Sequence, residues 1–116
     1  MNTRTVPSGL SLDTVFRVLS ERRKRHVLYA LRGAEGNAMT VKQLARRVRE
    51  LEGSGMDENA LKRIAEDLRE RHIPELVATD AVEYDERSET ARYHSVPSLE
   101  EWLEHAEYKE LGRVVS

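Results

Sequence analysis

Apolar residues recur every three or four positions along much of the chain, and the clearest case lies within residues 57–82. The buried helix stripe that this spacing predicts consists of Leu61, Ile64, Ala65, Leu68 and His72. Asp57 can cap the start of this helix through its carboxylate. Pro74 lacks an N–H group and disfavours helical geometry at the residue before it, so we expect the helix to end near His72.

The outward face of the same helix is polar. It consists of Asn59, Arg63, Glu66 and Glu70, with Lys62 beside it. A helix that stops abruptly before a hairpin is typical of the recognition helix and wing of a winged helix-turn-helix protein. Such helices read bases with residues near their N-termini, so we expect Asn59, Lys62 and Arg63 to contact bases. Glu66 and Glu70 oppose this interpretation because they repel phosphates.

Alternating apolar residues predict the hairpin, with strands over residues 81–84 and 90–94. The side chains expected to share its inner face are Val82, Tyr84, Ala91 and Tyr93. The tip, residues 85–89, carries three acidic side chains and a single cation, Arg87. Arg87 can reach a narrow minor groove as a wing residue, and ordinary turn formation is the alternative for this segment.

Two further helices are predicted near the N-terminus, after a polar tail over residues 1–10. Ser11 can cap the first, whose apolar positions are Leu12, Val15, Phe16 and Leu19. The second covers residues 21–32. Its inner positions are Val27, Leu28 and Leu31, and its outer positions are Arg22, Arg25, Tyr29 and Arg32.

A third helix opens at Thr40, because Thr40 and Gln43 match the T-x-x-Q pattern of a capping box. Its buried stripe is Val41, Leu44, Ala45, Val48 and Leu51. The opposite face carries Lys42, Arg46 and Arg49, spaced i, i+4, i+7. The helix before a recognition helix crosses the DNA backbone, so these cations, together with Arg22 and Arg25, are predicted phosphate contacts.

The last predicted helix covers residues 98–112 and follows a winged helix-turn-helix domain at residues 11–97. Ser98 and Glu101 match a second capping box, S-x-x-E, and Gly112 is a plausible stop. Its apolar face is Leu99, Trp102, Leu103 and Ala106. This face either packs on its own domain or pairs with a second copy. We expect a homodimer, because two recognition helices then address two half-sites of double-stranded DNA.

Charge divides the chain into two parts. Residues 17–49 carry ten Lys or Arg and two Glu, whereas residues 50–116 carry eight Lys or Arg and eighteen Asp or Glu. This split favours a surface that faces a polyanion, although solvated helix faces also explain it. The chain has no cysteine, which excludes disulfides and thiolate-ligated metals. No long apolar run or signal-peptide pattern is present, so we expect a cytoplasmic protein without membrane contact.

Other chemistry receives little support. Glu101 and His105 share a helix face at i, i+4 and could ligate a divalent metal, but acidic helices produce such pairs by chance. His72 lies on the apolar stripe and is expected to be a packed residue. No nucleophile motif or phosphate-binding glycine loop is present. We therefore predict no metal, no cofactor and no catalytic residue.

Four segments resemble a haloarchaeal family of small winged helix-turn-helix domains of unknown function. They are LSLDTVFRVLSERRKRHVLYALRG, TVKQLARRV, DENALKRIAEDLRERHIPEL and AVEYDERSETARYHSV. The resemblance covers about residues 10–95, and the layout is more distantly similar to repressors of the arsenic-repressor type. It implies a mainly helical fold with a two-stranded wing, and a role in transcription regulation in a salt-rich cytoplasm. It supplies no DNA-contacting residue.

These observations predict a sequence-specific DNA-binding regulator of winged-helix type. The alternative is a winged-helix module that binds protein without binding DNA. Glu66, Glu70 and the acidic hairpin tip favour that alternative.

Overall fold

The computed structural model describes residues 10–53 and 55–112, which form a mainly helical fold with a small antiparallel sheet. The helices are α1 (Leu12–Leu19), α2 (Arg22–Arg32), α3 (Val41–Leu51), α4 (Glu58–Asp67), α5 (Ile73–Val77) and α6 (Pro97–Leu111). The strands are β1 (Ala38–Thr40), β2 (Val82–Asp85) and β3 (Thr90–Tyr93). The tail predicted for residues 1–10 lies, apart from Leu10, outside the described residues.

Helix α2 lies at the centre of the fold. Helices α1, α3 and α6 and the sheet all pack against it. Val27, Leu28 and Leu31 are buried as predicted, but Tyr29 is only 1% exposed. The prediction that Tyr29 faces solvent is wrong, because a helix surrounded by other elements buries side chains on more than one face.

Two of the predicted helix caps are confirmed. The Ser11 side chain accepts a hydrogen bond from the Thr14 N–H at the start of α1. Thr40 and Gln43 form the complete capping box, in which each side chain bonds the other residue's backbone N–H. These reciprocal bonds satisfy N–H groups that the first turn of a helix leaves free, so they fix where α3 begins.

Two other cap predictions are wrong. The Asp57 side chain makes no capping bond, although Asp57 does occupy the N-cap position of α4. At α6, the helix starts one residue early with Pro97 in its first turn, and Val96 is the N-cap. The Ser98 hydroxyl accepts a hydrogen bond from the Leu10 N–H instead (3.2 Å). A contact distant in sequence thus replaces the local capping box.

The apolar face predicted for α1 is shifted in the structure. Val15 and Val18 are buried, whereas Leu12 is 55% and Phe16 is 47% exposed. The face that packs against α2 and α6 therefore lies on one side of the predicted stripe.

The chain does not leave the helical conformation at His72. A π-helical turn, Leu68–His72, follows α4 directly, and α5 begins at Ile73 with Pro74 in its first turn. Within the π turn, the Ile73 N–H bonds the Leu68 carbonyl. Proline is tolerated in the first turn of a helix because its missing N–H would have had no partner there. The predicted stop is therefore a change of helical register.

The sheet has three strands in the order β1–β3–β2, not the two that were predicted. The predicted common face of the hairpin is confirmed, because Val82 pairs with Tyr93 and Tyr84 pairs with Ala91. Strand β1 adds to the other edge of β3, with Met39 opposite Ala91. The inner face of the sheet joins the core formed by α2, α3, the α4–α5 run and α6. Among the described residues, no helix is both long enough and apolar enough to cross a membrane.

Candidate nucleic-acid interface

Helices α3 and α4 pack side by side and leave a surface cleft of about 420 Å³ between their outer faces. The cleft brings together predicted DNA contacts from both helices. Its lining residues are Lys42, Ala45, Arg46, Glu58, Leu61, Lys62, Ala65, Glu66 and Arg69. Residues predicted separately as base contacts and as phosphate contacts thus meet on one surface.

Three cations of this cleft are uncompensated. Lys42, Arg46 and Lys62 are exposed, and none of them has an ion-pair partner among residues 10–53 and 55–112. Glu58 and Glu66 also line the cleft, so these three cations and two carboxylates leave a formal balance of +1; the fourth lining cation, Arg69, is paired with Glu89. The surface is therefore basic, and two acidic groups interrupt it.

Asn59 and Arg63 are exposed on α4 beside the cleft. Asn59 lies in the first turn of the helix and Arg63 in the second. Neither side chain has a hydrogen bond or ion pair within the part of the chain that the structure describes. Both are free to meet a ligand that approaches the start of α4.

Arg49 is placed differently from the other cations predicted on α3. It is half-buried, and its Nε donates a hydrogen bond to the Gly55 carbonyl at 2.6 Å. This bond closes the connection between α3 and α4. Arg49 therefore has a local structural role that the i, i+4, i+7 spacing did not indicate.

Glu89 bonds the hairpin to the start of α3 and to the π turn that follows α4. Its carbonyl accepts a hydrogen bond from the Val41 N–H at 2.9 Å. Its carboxylate accepts one from Arg69 Nε at 3.1 Å. Arg69 was missed as a cleft residue, although its spacing from Lys62 (i, i+7) could have revealed it. The hairpin and both helices are consequently held in one arrangement.

Arg87 is exposed at the hairpin tip. The Asp85 carboxylate shapes this tip by accepting bonds from the Arg87 N–H (3.2 Å) and the Ser88 hydroxyl (2.8 Å). The arrangement is a side-chain-stabilised turn. With Asp85, Glu86 and Glu89 around it, Arg87 lies in a net negative segment.

The cations of α2 are mostly neutralised within the chain. Arg25 makes a two-pronged ion pair with Glu110 of α6 (2.8 and 2.9 Å), and Arg32 pairs with Glu100 and Glu107. Hydrogen bonding by Arg25 holds the pKa of Glu110 at about 2. Arg25, which was predicted to contact phosphate, is therefore already ion-paired within the chain.

Arg22 does not join the α3–α4 cleft. It is exposed at the start of α2 and lines a separate cleft with Arg71 and Glu52. The structure thus separates both of the α2 residues predicted as phosphate contacts from those of α3.

The residues predicted on the apolar face of α6 divide into two groups. Leu99 and Leu103 are fully buried in the chain's own core. Trp102 is 41% exposed and makes an edge-to-face contact with Phe16 of α1, with ring centroids 5.5 Å apart. Ala106 is half-buried. Helix α6 therefore packs on its own fold and leaves an aromatic pair at the surface.

Comparison with known families gives one match. Residues 16–92 match the model of the family described as "Domain of unknown function (DUF7344)". The chain belongs to this family. The matched residues of this DUF7344 domain include α2, α3, α4 and all of the hairpin except Tyr93, and therefore the whole cleft. No significant match was found among the curated proteins or among the solved structures.

Proposed function

We propose that this DUF7344 domain is a winged helix-turn-helix DNA-binding regulator of transcription. In this proposal α4 enters the major groove, and Asn59, Lys62 and Arg63 contact bases. Lys42 and Arg46 contact phosphates of the flanking backbone. The order of α3, α4 and hairpin is the order of such domains.

The observation that carries the proposal is the contrast between two sets of cations. Four of the five cations of α2, all except Arg22, are paired with carboxylates of the same chain. Lys42, Arg46, Lys62 and Arg63, in contrast, are exposed and unpaired among the described residues. Unpaired cations on one surface repel each other and are suited to a polyanion, whose counterions they release on binding.

Glu66 gives a second candidate function its support. It lines the cleft, Glu70 is exposed four residues further along the chain, and the hairpin tip is also acidic, so a phosphate backbone is repelled by these carboxylates. A protein partner with a basic or apolar patch avoids this repulsion. That partner would bind the same surface without any requirement for DNA.

The deciding experiment is a titration of a labelled random-sequence duplex, followed by fluorescence anisotropy at several KCl concentrations. We expect binding whose logarithm falls steeply with the logarithm of salt. The Lys42→Ala/Arg46→Ala variant should lower this slope by about 2, because each phosphate contact contributes about 0.9. The control is the Arg17→Ala/Arg47→Ala variant, which removes two positive charges at residues outside this cleft. It should leave the slope almost unchanged.

Sequence preference is tested separately with a library of duplexes. Arg63→Ala should alter the selected bases as well as the affinity, whereas the Lys42→Ala/Arg46→Ala variant should weaken binding to all sequences alike. No binding of the unaltered domain at low salt would reject the DNA proposal. A partner search with the cleft variants as negative controls would then follow.

We propose that two copies of the chain associate through the exposed aromatic pair, Phe16 and Trp102. Phe16 of α1 and Trp102 of α6 are exposed and in contact with each other, and Leu12 is exposed one turn before Phe16 on α1. Exposed apolar surface of this kind favours association. The resulting homodimer would present two copies of α4 to two half-sites.

A further inference from the structure

Three side chains with metal-ligand chemistry converge where the start of α2 meets the end of the α4–α5 run. They are Glu21, the N-cap of α2; His72, the last residue of the π turn; and Glu75, in the first turn of α5. One ligand atom from each lies within 4.8 Å of the other two. The cluster forms only through the fold, since 51 residues separate the first member from the second.

His72 is the buried member and its orientation is fixed. It is 1% exposed, and its Nε2 lies 2.9 Å from Asp67 Oδ2. Asp67 also accepts bonds from Arg23 and Arg71, so its carboxylate is ionised and would repel a nitrogen lone pair at that distance. Arg71 Nη2, which can only donate, lies 3.2 Å from the same ring nitrogen, so Nε2 sits between an acceptor and a donor. A metal at Nδ1 requires the tautomer whose proton is on Nε2, facing Asp67.

In this tautomer the Nδ1 lone pair points at a carboxylate oxygen of Glu21. His72 Nδ1 lies 3.6 Å from Glu21 Oε1, and neither atom has a hydrogen-bond partner although both are buried. Two buried acceptors that face each other are unfavourable without a proton or a cation between them. The Lys24 ammonium lies 2.6 Å from Glu75 Oε1 and 3.6 Å from Glu21 Oε1, and it serves the carboxylates only.

We propose that Glu21, His72 and Glu75 bind a divalent transition-metal ion of the Zn²⁺ class. An imidazole nitrogen with two carboxylate oxygens is a ligand set that Zn²⁺ accepts, with an open fourth position for water. Asp67 supplies the partner that metal-binding histidines commonly have on their other ring nitrogen, which fixes the tautomer and raises ligand basicity.

Binding requires a small contraction and one displacement. Zn²⁺ ligands lie about 2.1 Å from the ion and hence about 3.4 Å from one another, so the three atoms move closer by an ångström or so. The Lys24 ammonium must leave the carboxylates. A cleft of about 590 Å³, lined in part by Glu21, Lys24 and Glu75, opens beside them and gives the ammonium and the ion a route to solvent.

The test is isothermal titration of the metal-free chain with Zn²⁺, in competition with a chelator. We expect one equivalent to bind at this site. Glu21→Gln and Glu75→Gln should each weaken binding by at least about tenfold. Lys24→Met should strengthen it several-fold, because the competing ammonium is removed. These carboxylates are partly exposed, so the variants test the site even where His72→Gln fails to fold.

The control is the His94→Gln/His105→Gln variant, which removes two histidines outside the cluster. Its affinity for Zn²⁺ should equal that of the unaltered chain. The proposal is overturned if Zn²⁺ does not bind, if this control abolishes binding, or if Glu21→Gln leaves the affinity unchanged. None of these measurements depends on DNA, so failure of the metal site and failure of the DNA proposal are distinguishable.

Discussion

His26 is a buried titratable residue whose chemistry is set by its surroundings. It is fully buried in α2, and neither ring nitrogen has a hydrogen-bond partner among the described residues. Its Nε2 lies 3.5 Å from Glu110 Oε2. Burial lowers the pKa of His26 below 6.5; Glu110 and Glu52 act in the opposite direction, and Arg22 and Arg25 add to the lowering. The folded chain therefore disfavours the protonated imidazole.

This lowered pKa predicts a loss of stability in mild acid. Below a pH of about 6.5 the unfolded chain binds a proton at His26 that the folded chain does not, so the free energy of unfolding decreases as the pH falls. His26→Leu removes this linkage. Its Tm should depend less on pH between about 7.5 and 5.5 in thermal unfolding followed by circular dichroism. Equal pH dependence in both chains would contradict the prediction.

Titration of Glu110 predicts a second loss of stability, at lower pH. Its pKa is about 2 in the folded chain against 4.5 ordinarily, chiefly because it accepts hydrogen bonds from Arg25. The stabilisation is present above about pH 4.5 and is lost as the pH falls towards 2. Glu110→Gln should lower stability near neutral pH and flatten the acid part of the curve. A urea-unfolding series against pH measures both effects, with Glu101→Gln, exposed on the same helix, as the control.

Among the elements, α3 has the best-defined start. The Thr40 hydroxyl and the Gln43 amide satisfy each other's N–H groups. Thr40→Ala should lower the free energy of unfolding by about 1 kcal/mol, as loss of an N-cap usually does, and Tm by about 4 °C. Thr40→Ser keeps the hydroxyl and should retain most of the stability. Similar losses in both variants would show that β1 packing, rather than the cap, is what the substitution disturbs.

Elements with local causes could be predicted from the sequence, and those with distant causes could not. The capping box at Thr40 involves residues three apart, and the hairpin follows from alternation within two short segments. Strand β1 has only three residues and exists because β3, some fifty positions later, offers a free edge. No periodicity within Ala38–Thr40 reveals that edge.

Some local signals were overridden by competition. The Ser98 hydroxyl, which fits a capping box by spacing, bonds the Leu10 backbone, while Pro97 opens the helix instead. A proline such as Pro74 ends a helix when its missing N–H removes a needed hydrogen bond and its ring clashes with the carbonyl of the preceding turn. Here the π turn that precedes Pro74 changes the hydrogen-bond register, so the chain stays helical. A local propensity rule gives the free-energy cost of one conformation at one residue. Packing and hydrogen bonds elsewhere in the chain decide whether that cost is offset.

For the whole molecule, the charge split of the sequence has a different meaning in three dimensions. Many cations of the basic segment form ion pairs with carboxylates of the acidic segment. Arg23 with Glu52 and Arg25 with Glu110 are examples. Helical spacing correctly identified exposed cations on α3 and α4, but it could not tell which cations elsewhere find partners. The candidate interface therefore contains part of the cations that intramolecular pairing leaves over; others that are exposed and unpaired among the described residues include Arg17, Arg22 and Lys109.

Association of two copies is a prediction at the same scale. Phe16→Ser/Trp102→Ser removes the exposed aromatic pair and should shift the sedimentation of the chain towards the monomer in analytical ultracentrifugation. Tyr108→Ser removes another exposed aromatic from α6 and should leave the association constant unchanged. An unaltered chain that stays monomeric at all accessible concentrations would contradict the dimer.

The packing of α6 on α1 also has a consequence for synthesis on the ribosome. Of the described helices, α1 is made before all the others, and α6, which packs on α1 together with α2 and contributes Leu99 and Leu103 to the core, is made after them. The nascent chain must therefore hold α1 without its final partner until nearly the whole domain has emerged. Folding is completed late in translation, and a chain that stalls before Pro97 exposes an apolar surface to the quality-control machinery of the cell.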